Sequence, residues 1–117
     1  MLEPSAVAEQ ESCNQQFLRF CEQHCPSLDA EVVWKEFSRA LHSAIHVTGA
    51  NLYHLLADGT LERDVDWLAS FLSKFNGEEE KEGLRNVLEA FLHQPIVIAV
   101  TRFFGCFLPT SLLRHHN

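Results

Sequence analysis

Basic residues are scarce in this chain. Nine Lys and Arg stand against 16 Asp and Glu over 117 residues, a formal charge of −7. Nonspecific binding to a phosphate backbone needs clustered cations, so nucleic acid is not expected as a partner. Equally absent are the short motifs that announce chemistry. There is no G-x-G-x-x-G, no P-loop and no H-E-x-x-H. No internal repeat or low-complexity linker interrupts the sequence. The opening stretch MLEPSAVAEQESC has neither a basic n-region nor an apolar h-region, so no signal peptide is expected. The four cysteines then read as reduced thiols of a cytoplasmic or nuclear protein rather than as a disulfide framework. Strand signals are nearly missing too, since only residues 96–100 read as a buried strand.

What is present is apolar residue at helical spacing. The hydrophobic share is 46% and the charged share 21%, which fits one folded domain with a core of its own. Residues 1–10 read as a flexible arm and residues 11–117 as a helical bundle. A first helix over residues 11–25 places Cys13, Phe17, Phe20, Cys21 and His24 on one face, and Pro26 ends it. A second starts after Ser27 or Asp29 as cap, shares Trp34, Phe37, Leu41 and Ile45 on its apolar face, and stops at Gly49. A short third covers residues 51–57. The fourth, capped by Thr60, carries Leu61, Val65, Leu68, Leu72 and Phe75 at spacings of four, three, four and three. The fifth opens on Glu78, Glu79 and Glu80 and buries Leu84, Val87, Leu88, Phe91 and Leu92. Pro95 suits the first turn of a sixth, whose apolar residues spread around most of its circumference. Such a helix is usually central in its fold. The expected fold is all-α: a bundle of five to six helices with the hydrophobic C-terminal helix at its centre.

The stretch CEQHC poses the one chemical question. With His42 and His46 it makes C-x3-C, sixteen residues, H-x3-H, against about twelve in the middle of a zinc finger. His42 and His46 share a helix side with Lys35 and Arg39, whereas Cys21 sits beside Phe17 and Phe20 on the buried side. The two ligand pairs point in different directions relative to the core. Neither a metal nor any other cofactor is expected. Catalysis finds no support either. Cys106 lies in an apolar FFGCFL setting that keeps a thiol protonated, and Asp64 and Asp66 fall on opposite sides of a helix.

Binding is what remains. The L-x-x-L-L of Leu52 to Leu56 could dock in a groove, but its periodicity assigns it to the core. Trp67 and Phe71 stand roughly 80–120° off the centre of the Leu61–Leu72 stripe and widen its apolar arc. They are the candidate partner-binding residues, together with Arg102, the only charge between Pro95 and Pro109. That arginine also argues against a membrane span over the apolar run of residues 96–113. The sequence thus points to a non-catalytic interaction or adaptor domain that binds another protein or a peptide segment through an aromatic-lined helical groove. The alternative is a regulatory bundle acting through oligomerisation or membrane contact of its C-terminal helix.

Overall fold

The computed structural model describes residues 4–107, the side chains of residues 4–6 and 65 excepted, and over these residues the chain is helical with no strand. Seven helices follow one another: α1 (Pro4–His24), α2 (Ala30–Thr48), α3 (Leu52–Ala57), α4 (Thr60–Arg63), α5 (Val65–Leu72), α6 (Glu78–Leu92) and α7 (Pro95–Phe104). The all-α architecture is the one expected. The part of the apolar run beyond residue 107, and the end of the proposed bundle, lie outside the described residues.

Several helix ends follow from local chemistry. The Asp29 carboxylate accepts from the Glu31 N–H and caps α2. Gly49, with φ 74°, turns the chain out of α2 and donates its N–H to the Ile45 carbonyl. Pro95 occupies the first turn of α7, where its missing N–H costs nothing. Two boundaries differ from the expectation. α1 begins at Pro4, ahead of the expected start at residue 11. Gln10 is buried there, its amide donating to the Asn14 side chain at 2.7 Å. Polar residues that satisfy one another inside the fold leave no apolar periodicity to read.

The second difference concerns the helix with the clearest pattern. It breaks at Asp64, which closes α4 and caps α5 by accepting from the Asp66 N–H at 3.0 Å. Nor does Thr60 act as the cap foreseen: Gly59 holds that position, and Asp58 accepts from the Thr60 N–H. The break resets the helical phase. Leu61 and Leu72 no longer share one wheel, and α5 turns Phe71, Leu72 and most of Trp67 inward while Leu68 stays half-buried.

The core is aromatic. Phe37 of α2 lies within 5.3 to 6.3 Å, centroid to centroid, of Phe17, Trp34, Trp67, Phe71, Phe91 and Phe107. Each well-placed ring pair adds about 0.5–1.5 kcal/mol beyond the area it buries. Around these rings α1 packs on α6 and α7, α2 on α5, and α3 on α4 and α7. α7 packs on α1, α3 and α6: Val97, Val100 and Thr101 face inward, while Arg102 and Phe103 remain outside. At Gly83 the backbones of α1 and α6 nearly touch. A β-carbon there would meet the His24 carbonyl oxygen at 2.4 Å, so no larger residue fits without parting the two helices.

The phase of α5 can be checked by truncation. Phe71→Ala should cost about 3–5 kcal/mol in urea titrations, and Leu68→Ala less than about 2 kcal/mol. The reverse order would restore the single unbroken wheel.

Candidate interaction groove

Although α5 and α6 are neighbours in the chain, each packs mainly elsewhere: α5 on α2, and α6 on α1. The space between them is a half-open groove of about 700 Å³. Its apolar lining comes from five helices. Leu56 enters from α3, Leu61 from α4, Trp67 and Leu68 from α5, Leu88 and Leu92 from α6, and Ile98 from α7. Leu56, Leu68, Leu92 and Ile98 are each only half-buried, so the groove presents apolar surface to solvent.

Trp67 is the aromatic member of this wall. Its indole is 8% exposed, and its N–H donates to the Leu61 carbonyl at 2.8 Å. That bond fixes the ring against the α4–α5 break and leaves the indole no donor for a ligand. Phe71, at 1% exposure, is not at the surface at all; it stacks edge-on against Phe37 and Phe75. Its expected place on a widened surface arc belonged to a wheel that Asp64 interrupts. Arg102 is exposed and does not line the groove. Its guanidinium lies 5.4 Å from the centre of the Tyr53 ring and reaches the Tyr53 hydroxyl at 3.4 Å. Of the three candidate residues, then, one lines the groove, one is core and one lies elsewhere. The signal for the groove's other members was partly visible. Leu56 ends the L-x-x-L-L, whose Leu52 and Leu55 are buried as the periodicity requires.

The rim is charged. Glu62, Asp64 and Glu89 supply carboxylates, Arg85 a guanidinium and His93 an imidazole. His93 ends α6, and its Nδ1 lies 2.6 Å from the Glu89 carbonyl oxygen while its Nε2 lies 3.0 Å from Glu62 Oε1. Both partners are acceptors, so the two contacts are satisfied together only when the ring is protonated and donates from both nitrogens. The bond to the Glu89 carbonyl, aided by the Glu62 carboxylate, holds the His93 pKa above its ordinary 6.5. The pair clasps α4 to the end of α6 across the groove.

The cysteines and histidines of the zinc-like spacing stand apart. Cys13, Cys21 and Cys25 are buried, whereas His42 and His46 are exposed on α2. Among the described residues no three His, Cys, Asp or Glu side chains gather to hold a metal ion. Burial pushes the Cys13 thiol up to about 12. Cys21 keeps its proton because it donates to Cys25, whose own pKa is lowered by accepting that bond.

Among the described residues no single helix is long and apolar enough to cross a membrane. α6 and α7 pass that test only together, across a 71° bend. Searches of protein-family models, curated proteins and solved structures find no match to this chain.

The clasp gives a pH signature. A group whose pKa is raised by folding contributes stability that is complete below its unfolded value and fades as pH rises through its folded value. NMR titration should place His93 above 6.5, and Glu62→Gln should move it back toward that value. The accompanying stability change is small, because both side chains are well exposed and screened by water and salt. A His93 pKa indifferent to Glu62→Gln would mean that the ion pair does not form in solution.

Proposed function

We propose that this chain is a non-catalytic helical interaction domain that takes an amphipathic helix of a partner into the groove between α5 and α6. The observation that supports it is the unpaired gap itself: two adjacent helices, each held by another element, leave apolar side chains from α3 to α7 in reach of solvent. Helix-in-groove binding needs such a surface, with apolar anchors at one turn's spacing and a polar rim around it. A catalytic or small-molecule site would instead aim a few unsatisfied polar groups inward. Here the indole N–H is already used, and among the described residues no buried side-chain nitrogen or oxygen lacks a partner. The charged groups stand on the rim, in water.

The test is a methyl and indole NMR titration with a synthetic 18-residue helix of Leu and Gln, its leucines on one face. Shifts should concentrate on Leu68, Leu88, Leu92, Ile98 and the Trp67 indole, and Leu68→Gln should remove them. Shifts scattered over the surface, or undisturbed by Leu68→Gln, would defeat the proposal.

A second reading rests on a different observation. Phe103 is 56% exposed on α7 and stacks on half-buried Phe104 at 4.9 Å, beside Arg102. An exposed aromatic next to a cation suits self-association or the surface of a bilayer. On this reading Phe103→Ser abolishes a concentration-dependent dimer in sedimentation, or flotation with anionic liposomes. A wild-type chain that stays monomeric and does not float would eliminate it.

A further inference from the structure

The rim of the groove carries charge of unequal sign, and its cations are already engaged. Arg85 sits 3.1 Å from Glu82 on its own helix, and His93 sits 3.0 Å from Glu62. The remaining rim carboxylates, Asp64 and Glu89, form no ion pair among the described residues, and Asp64 spends one oxygen capping α5. Glu89 is exposed on α6, one turn from Leu92 and adjacent to Leu88, both of which line the wall. The first turn of α6 adds Glu78, Glu79 and Glu80, and the chain as a whole carries −7.

We propose that the groove selects a cationic amphipathic helix: a segment with one leucine-like face for the α5–α6 gap and Lys or Arg on its flanks for the Asp64 and Glu89 carboxylates. This rests on the groove reading above and adds the chemistry of the partner. An apolar face alone would enter either way round. A basic flank facing Glu89 fixes its register, whereas an acidic flank meets like charge and finds Arg85 and His93 already paired with Glu82 and Glu62. The acidic field around the groove also speeds encounter with a basic segment and slows it with an acidic one.

Three synthetic 18-residue helices with identical leucine positions test this on the full chain, their polar faces made of Lys, Gln or Glu. Affinity is read by fluorescence anisotropy of the labelled peptide. The Lys peptide should bind tightest and the Glu peptide weakest. Glu89→Lys should weaken the Lys peptide about fivefold to tenfold, the scale of one lost and one reversed surface pair. Glu79→Lys, of equal charge change but off the rim, should weaken it less than about twofold. Raising salt should shrink the gap between the Lys and Gln peptides. Equal affinity of all three peptides, each lost with Leu68→Gln, would overturn the charge selection and leave the groove standing. Equal loss from Glu79→Lys and Glu89→Lys would also overturn it, since attraction would then come from net charge and not from the rim. Binding of the Lys peptide that Leu68→Gln does not touch would defeat the groove itself. Each variant is first melted beside the parent; should one fail to fold, the peptide ranking and its salt dependence on the parent chain decide.

Discussion

The ring of Phe37 is the point on which the other elements converge. It is wholly buried on α2 and meets rings from α1, α5, α6 and the segment after α7. Because the edge of one aromatic ring favours the face of another, such a cluster constrains angle as well as distance. Phe17 and Phe91 meet nearly at right angles, 86° apart at 5.0 Å. A leucine cluster of similar volume would hold these helices together with less say over their orientation. The position of α5 is therefore set by Phe37 through Trp67 and Phe71. That commitment to α2 is what leaves α6 without α5 as a main partner.

The groove is thus a by-product of where aromatic side chains were spent. α6 directs Leu84, Val87 and Phe91 inward, and its helix meets α1 so closely that only glycine fits at position 83. Leu88 and Leu92 lie on the adjoining side, toward the gap. A helix apolar on two sides needs two neighbours. Within the described residues α6 has a full neighbour on one side and the α4–α5 elbow, tied across by His93 and Glu62, on the other.

How much of this was readable beforehand depends on whether a feature is local. The cap before α2, for which Ser27 and Asp29 both stood ready and Asp29 serves, the stop at Gly49 and the start at Pro95 are decided within a few residues, and the sequence shows them. The buried faces of α2 and α6 are likewise periodic and legible, Phe37 and Phe91 included. The face of α5 was misjudged because spacings counted from Leu61 run through a break that Asp64 makes with a single side chain. An aspartate there reads equally well as a solvent-facing helical residue. The buried Gln10–Asn14 pair hid the start of α1 for a similar reason: its stability is a matter of mutual hydrogen bonding, which composition does not display. The groove was foreseen only as a kind of surface. Its location depends on which helices fail to meet, and no helix carries that information alone.

α1 has its principal partners in α6 and α7, while its packing on the next helix, α2, is slighter. During synthesis Phe17 can meet Trp34 and Phe37 of α2 early, but Phe91, which completes its packing, leaves the ribosome more than seventy residues after it. α3 waits too, since the N–H of Leu52 at its start donates to the Gly105 carbonyl at the end of α7. Contacts this distant in sequence slow folding and prolong the exposure of sticky surface. A nascent chain halted just before Pro95 would hold every described helix but α7, and would still lack Val97, Val100 and Thr101, the side chains that close the core against α1 and α3.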